Sequence, residues 1–245
     1  MLSNYSPYPE TADIETSSEE YASRFHGEIG EWFLKVQEEA TLNMLAPYKE
    51  ARILDVGGGH GQLTGALIEQ NYSVTVLGSA EICKARIQRY VNSKKCAFKV
   101  GDILNLPFED RDFDVVISYR LLSHVEQWKK FLSELTRVAS KSVIVDYPEI
   151  RSFNALTPYL FDIKKDIEGN TRTYKIFREV DILNIFNSGS FVKGSRFPEF
   201  FFPMVLHRKM NSLGFSASVE AFFRFLGLTN IFGSPIILRV DRMQG

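Results

Sequence analysis

The chain is poor in cysteine, with only Cys83 and Cys96 among its 245 residues. Two thiols cannot form the disulfide framework of a small secreted domain, so we expect reduced cysteines in a cytoplasmic protein. The sequence contains no Cys-x-x-Cys pair and no Cys/His cluster, and we therefore expect no metal site. No apolar run reaches the roughly 18 residues that a membrane span needs, and the polar amino-terminal segment has no signal-peptide core.

An excess of charge of one sign is also absent, because the formal net charge is −1. A protein whose main partner is nucleic acid usually carries a basic excess, so we expect no nucleic-acid partner. The hydrophobic content of 44% and the charged content of 24% are ordinary for a globular protein. These numbers fit one α/β domain with an inserted subdomain, and they do not specify an oligomeric state.

The hydrophobic pattern divides the chain into a tail and one domain. Residues 1–17 are polar and acidic, which predicts a flexible tail, and helical spacing begins at Ser18. Residues 18–245 are then expected to form a single domain that begins with amino-terminal helices.

Five short apolar strands alternate with helical segments between residues 51 and 148: ARILDV, YSVTVLG, KCAFKVGD, FDVVISY and KSVIVDYP. This alternation predicts an α/β protein with a doubly wound, mostly parallel sheet. After Pro148 the alternation stops, and residues 151–205 are expected to form a cap or lid between strands 5 and 6. Two more strands, one near the SLGF sequence at residues 212–215 and one in SPIILRVDR, complete a predicted seven-stranded sheet.

A glycine cluster follows the first predicted strand, with glycine at positions 57, 58, 59 and 61. A sheet of this kind binds ligands beyond the carboxyl ends of its strands, so the cluster is a candidate ligand-binding turn. The dinucleotide fingerprint G-x-G-x-x-G fails, because Gln62 stands where its third glycine would be. The spacing that is present, counted from Asp55 to Gly61, is D-x-G-x-G-x-G.

That spacing resembles the first motif of class I S-adenosylmethionine-dependent methyltransferases. The stretch VGDILNLPFEDRDFDVVISYRLLSHVEQWKKFLSELTRV resembles the small-molecule branch that includes the ubiquinone/menaquinone (methyltransferase type 11) group. The YASRF sequence at residues 21–25 is similar to the segment that closes over the cofactor in that branch. The resemblance implies a Rossmann-like methyltransferase fold, S-adenosylmethionine as cofactor, and methyl transfer as the activity.

The resemblance also implies roles for individual residues around the cofactor. Asp55 would contact its amino group, and Arg24 its carboxylate. Asp102 would accept from the adenine amino group, with the Ile103 amide donating to the ring, while Tyr119 would lie near the sulfonium. The complete candidate set for the cofactor is Arg24, Asp55, Gly57, Gly59, His60, Gly78, Ser79, Asp102, Ile103 and Tyr119.

The sequence departs from the family at the end of the second strand. Gly78 stands where the family has an acid that binds both ribose hydroxyls. Ser79 and Glu81 follow, and each also suits the start of a helix, as N-cap and as first-turn acid. Three hypotheses are therefore carried: a methyltransferase in which Ser79 and backbone groups hold the ribose, a cofactor-binding protein without activity, and a nicotinamide-dependent oxidoreductase.

The acceptor is expected to be a small, partly apolar organic molecule. The RFPEFFFPMVL sequence offers groups for an apolar pocket, or for the core of the insert. Neighbouring lysine and arginine residues suit an anionic group or transient contact with a membrane surface. His124 and His207 are the candidate catalytic bases, and O-methylation is favoured over C- or N-methylation.

Overall fold

A computed structural model describes residues 6–152 and 175–243 of the chain. Within them one seven-stranded sheet has the order β3-β2-β1-β4-β5-β7-β6. Its strands are β1 (Arg52–Val56), β2 (Ser73–Gly78), β3 (Cys96–Val100), β4 (Phe113–Ser118), β5 (Ala139–Tyr147), β6 (Phe191–Phe200) and β7 (Ser234–Arg242). Strands β1 to β5 run parallel, and β7 pairs antiparallel with both β5 and β6. The predicted doubly wound, mostly parallel sheet is confirmed.

Helices precede the sheet and cover both of its faces. They are α1 (Ala12–Thr16), α2 (Glu19–Ser23), α3 (Gly27–Leu45), α4 (Thr64–Glu69), α5 (Gln88–Asn92), α6 (Trp128–Val138), α7 (Glu179–Ser188), α8 (Met204–Met210), α9 (Leu213–Phe225) and α10 (Leu228–Phe232). Short 3₁₀ segments follow three of the strands, at Gly58–His60, Glu81–Ile87 and Leu122–His124. In the described parts of the chain, no helix is both long and apolar enough to cross a membrane.

The alternation of side chains along β1 shows how the two cores form. Ile53 joins the cluster that contains Met44 of α3 and Leu67 of α4. Leu54 points to the other face and joins the cluster that contains Phe131 of α6. Because successive side chains of a strand face opposite sides, a strand that is covered on both sides is mainly apolar, and the buried Asp55 is the exception in β1.

In the carboxyl-terminal third, the predicted lid and sixth strand differ from the observed elements. Residues 191–200, expected to belong to the lid, form strand β6 of the sheet, and the strand expected near residue 215 is helix α9. Aromatic and apolar residues are frequent in both segments, and a short apolar run does not separate strand from helix by periodicity alone. Helix α7, also expected in the lid, packs Ile182 and Phe186 into the cluster that contains Phe131 of α6, so it belongs to the body of the domain. The lid residues 153–174 lie outside the described residues.

The prediction of a flexible tail is wrong for residues 12–16, which form helix α1. Ala12 is 1% exposed and Asp13 is 0% exposed, so the helix is held against the sheet. A buried carboxylate needs hydrogen-bond donors, and Asp13 finds them on Ser79, 66 positions along the chain. The local sequence carries no sign of such a distant partner.

Candidate active site

The glycine turn lies between β1 and α4, at the carboxyl edge of the sheet. Gly57 and Gly61 have φ values of +80° and +72°, a left-handed conformation that favours glycine. A Cβ built on Gly59 would collide with the Cys83 carbonyl oxygen and lie 2.5 Å from Ser17 Oγ. Left-handed geometry and close packing therefore both require glycine in this turn.

Asp55 lies beneath the turn, with its carboxylate directly against Gly58. The side chain is 0% exposed, and neither carboxylate oxygen has a hydrogen-bond partner among the described residues. Burial raises the pKa of Asp55 to about 7. Two unpaired acceptor oxygens under a glycine turn suit a cationic ligand group such as an ammonium.

His60 ends the turn as a neutral hydrogen-bond donor. Its Nδ1 accepts from the Gln62 N–H at 3.2 Å, which leaves the proton of the neutral ring on Nε2. Burial, together with Arg120 and Arg86, lowers the pKa of His60 to about 3. The buried Nε2 has no partner in the described part of the chain, so it can donate to a ligand.

At the end of β2, Gly78 has no space for a side chain. A Cβ there would lie 2.7 Å from Cys83 Cβ and 3.1 Å from the Phe98 ring. Ser79 does not cap the following helical segment, whose N-cap is Ala80. Its hydroxyl donates to Asp13 Oδ1 and its backbone N–H to Asp13 Oδ2, both at 2.6 Å. A carboxylate is thus present at this strand end, but it comes from α1.

At the end of β3, Asp102 shapes the loop that follows it. Its Oδ1 accepts from the Leu104 N–H at 2.8 Å, while Ile103 is fully buried. The Arg137 guanidinium holds the continuation of this loop by donating to the Leu106 and Phe108 carbonyl oxygens. The residues predicted to meet adenine therefore lie in a loop that is fixed from both ends.

At the ends of β4 and β5 lies a buried polar group that the sequence analysis missed. The Arg120 N–H donates to Asp146 Oδ1 at 2.6 Å, and its guanidinium donates to Gln37 Oε1 at 3.1 Å. Burial raises the pKa of Asp146 to about 6, although Arg120 opposes the shift. Tyr119 is turned toward α3, because its hydroxyl lies 2.6 Å from Thr41 Oγ1. Burial raises the pKa of Tyr119, and the charges of Asp146, Glu199 and Asp55 add to the rise, so the hydroxyl lies within range of the carboxylate beneath the turn.

Arg24 and His124 lie close to this edge of the sheet. The Arg24 guanidinium lies 4.9 Å from the centre of the Tyr21 ring. Burial raises the pKa of Tyr21, while Arg120 opposes the rise, so Arg24, Tyr21 and Arg120 share one region. His124 is half-buried at the end of the 3₁₀ segment after β4.

His207 is buried among the aromatic rings of Trp32, Phe33 and Phe200. Its Nε2 lies 2.9 Å from Glu220 Oε1. The same carboxylate accepts from the backbone N–H groups of residues 201 and 202 at 2.7 Å and 2.9 Å. These contacts join α8, α9 and the end of β6, and they give His207 a structural position.

A cavity of about 550 Å³ opens between α3, β6 and α9. Its walls are largely apolar and aromatic, with Trp32, Val36, Phe197 and Phe200 among them. Glu199 also lines it and is only 2% exposed, and its Oε2 has no partner among the residues described. Burial raises the pKa of Glu199 to about 8, with Arg120 opposing and Asp146 adding to the rise.

Metal-binding groups are not gathered at these sites. Across residues 6–152 and 175–243, no group of three or more His, Cys, Asp or Glu side chains is placed to hold a metal ion.

Comparison with known proteins finds similarity in the central part of the chain. Residues 54–145 match a family model described as a methyltransferase domain. Norajmaline N-methyltransferase of Rauvolfia serpentina is 32% identical over 127 residues, covering 48% of this chain and 42% of that protein. Phthiotriol/phenolphthiotriol dimycocerosates methyltransferase 1 of Mycobacterium ulcerans is 33% identical over 116 residues, covering 46% and 42%. The chain thus spans less than half the length of these curated relatives.

Solved structures extend the likeness to the whole fold. Magnesium protoporphyrin IX methyltransferase from Synechocystis, with bound S-adenosylhomocysteine, has a TM-score of 0.64 at 15% identity and covers 95% of this chain and 98% of that one. The [4+2]-cyclase SpnF has a TM-score of 0.52 at 15% identity, with coverage of 80% and 76%. The predicted Rossmann-like methyltransferase fold is confirmed, and the cyclase shows that the fold alone does not fix the chemistry.

Proposed function

Because residues 54–145 match a methyltransferase domain and the chain has the class I fold, we propose that this protein transfers the methyl group of S-adenosylmethionine to a small organic acceptor. The cofactor, when bound, supplies an electrophilic methyl group on a sulfonium, and the protein aligns and desolvates the reactants. One observation carries the proposal: a left-handed glycine turn covers a buried Asp55 carboxylate whose oxygens have no partner among the described residues.

We assign the amino-acid part of the cofactor to the turn and its neighbours. Asp55 would pair with the ligand ammonium, and the Nε2–H of His60 would donate to a ligand oxygen. Arg24 and Arg120 provide positive charge for the ligand carboxylate. The Asp102 loop would receive the adenine, as the family resemblance implies. These residues fit the cofactor by charge and by donor and acceptor type.

The acceptor is proposed to be small and partly apolar, and to bind in the cavity between α3, β6 and α9. The aromatic walls suit an apolar body, and Glu199 offers a buried carboxylate at the wall. An acid with a pKa of about 8 is a stronger base than an ordinary carboxylate, so Glu199 suits removal of a hydroxyl proton. This arrangement favours O-methylation. His124 stays a candidate base, while the burial of His207 against Glu220 favours a structural role.

Two measurements test this function. Calorimetry should detect micromolar binding of S-adenosylhomocysteine, and a panel of phenols, carboxylic acids and amines should show transfer of a labelled methyl group to at least one compound. Glu199→Gln should keep cofactor binding and lose turnover with hydroxyl acceptors. The exposed variant Glu20→Gln is the matched control. Absence of binding at millimolar ligand would end the proposal.

Cofactor binding without catalysis is the second candidate function. Two observations favour it: Gly78 lacks the family's acid, and α1 lies against the glycine turn. Binding of S-adenosylhomocysteine together with a lack of methyl transfer across the acceptor panel would support this reading.

Transient contact with a membrane surface stays part of the proposal. Helices α9 and α10 expose apolar side chains, including Phe222, Phe225 and Ile231 at 57%, 87% and 54%. Exposed aromatic side chains beside basic residues suit an anionic lipid surface. Co-sedimentation with vesicles of anionic and of neutral lipid tests this contact, and binding to neither would refute it.

A further inference from the structure

The amino-terminal segment that contains α1 runs along the carboxyl edge of the sheet. At its start, Glu10 Oε1 accepts from the backbone N–H of Glu126 at 2.7 Å, just before α6. Ala12 is buried in the apolar cluster that includes Ile103. At the other end, Asp13 is bonded to Ser79 after β2. The segment therefore crosses the strand ends from β4 to β2.

The amino-terminal segment also contacts Gly57 and Gly59 of the glycine turn. Asp13 Cβ lies 3.6 Å from the position of a Cβ on Gly57, and Ser17 Oγ lies 2.5 Å from that of a Cβ on Gly59. Leu121 Cδ2, at 2.6 Å, and the Cys83 carbonyl oxygen are the nearest atoms at these two positions, so the amino-terminal segment closes a turn that the rest of the chain already packs against. Protein atoms of the amino-terminal segment are already in van der Waals contact with the two glycines.

Asp13 occupies the hydrogen-bond donors that a ribose would use. The Ser79 N–H and hydroxyl are the groups left to hold ribose hydroxyls when residue 78 is glycine, and both donate to Asp13 at 2.6 Å. The Cys83 thiol approaches the same carboxylate at 3.4 Å. With Asp13 and Ser79 both 0% exposed, a ribose and α1 cannot use these donors together.

We propose that α1 and the nucleoside part of the cofactor compete for one groove, so that residues 10–17 gate cofactor entry and Asp13 latches the gate. This inference rests on the proposed function, because it concerns regulation of the same site. A protein whose binding-competent form is a minor fraction binds its ligand more weakly by that fraction. Weakening the latch must therefore tighten cofactor binding.

Two full-length variants open the gate by different means. Asp13→Asn removes the charge of the latch and leaves one amide oxygen as acceptor for two Ser79 donors. Ala12→Glu keeps Asp13 and places a carboxylate in an apolar cluster, which expels α1. Both should bind S-adenosylhomocysteine about tenfold more tightly than wild type. Glu20→Gln, on neighbouring α2, should leave binding unchanged.

Hydrogen exchange gives an independent readout. Addition of S-adenosylhomocysteine to the wild type should speed amide exchange in residues 12–17, because the ligand displaces the helix. Slower exchange there would mean that α1 closes over the ligand, and weaker binding by Asp13→Asn would make Asp13 a ligand contact. Either result overturns the gate.

The binding measurements distinguish failure of the gate from failure of the proposed function. Equal binding by wild type and both variants would refute the gate and leave the proposed function standing. No binding by any of the proteins would refute the proposed function, and the gate would fall with it, because a released groove must accept the ligand.

Discussion

Replacement of Asp55 by asparagine tests whether an unpaired buried carboxylate is maintained for a ligand. The pKa of Asp55 rises from 3.8 to about 7 on folding. At 1.36 kcal/mol for each pKa unit, the ionised group destabilises the fold by about 4 kcal/mol. The folded chain holds this proton more tightly than the unfolded chain, so the free energy of unfolding falls as pH rises from about 4 to about 7 and is level above.

The substituted asparagine carries no charge at any pH, but its buried amide lacks partners, which costs about 1–3 kcal/mol. Asp55→Asn should therefore be more stable than wild type at pH 8, by about 1–3 kcal/mol. That advantage should shrink by about 2–3 kcal/mol at pH 5, where most of the wild-type carboxyl is protonated. Urea denaturation of both proteins at the two pH values measures the difference. Other buried acids, such as Glu199, titrate in both proteins and cancel.

The same substitution should weaken binding of S-adenosylhomocysteine by about tenfold or more, since a charge-assisted contact to the ligand ammonium is lost. Wild-type affinity should rise from pH 5 to pH 8 as Asp55 ionises, and the variant should show no such rise. A stability difference of the same size at both pH values would refute the reasoning about burial. Unchanged ligand affinity would remove Asp55 from the site.

Two further substitutions test the turn and the aromatic cluster. Gly59→Ala should cost about 1–3 kcal/mol and abolish cofactor binding, because its Cβ meets backbone atoms. The control Gly214→Ala, at an exposed position near the start of α9, meets nothing within 4 Å and should be neutral or stabilising in thermal melts. Glu220→Gln should lower stability by about 1–3 kcal/mol, since its carboxylate serves His207 and two backbone N–H groups. Full activity of a folded His207→Asn protein would confirm that this histidine is structural, and loss of activity without loss of stability would contradict it.

The sequence predicted the parallel part of the fold because its signal is local. Strands β1, β2, β4 and β5 are mainly apolar runs next to helical patterns, because they are buried on two faces, whereas the edge strand β3 alternates buried and exposed residues. The antiparallel strands were harder to predict from the sequence. Residues 191–200 contain lysine, glycine, arginine and proline and still form β6, since an edge strand tolerates polar residues and proline.

The candidate site likewise has a part that the local sequence predicts and a part that it does not. The glycine turn and Asp55 are adjacent in sequence, so their spacing alone indicated a ligand site. Asp13, Arg120 and Glu199 could not be grouped in advance, because they come from α1, the end of β4 and the end of β6, and only folding brings them to one edge. Tyr119 follows β4, and its hydroxyl contact with Thr41 on α3 joins residues 78 positions apart, which the local sequence does not indicate. Its place near the sulfonium stays a prediction.

The glycine at 78 is best understood together with Asp13. Cys83 and Phe98 fill the space beside Gly78, so restoring the family's acid there would force this packing apart. A carboxylate nevertheless stands at the end of β2, carried by a helix that lies apart from the strand in sequence. A carboxylate on a strand is fixed, whereas one on a five-residue helix can leave, because so short a helix is held mainly by its tertiary contacts. In the proposed gate, the difference from the family pattern at Gly78 makes the end of β2 a place where the chain itself competes with the cofactor.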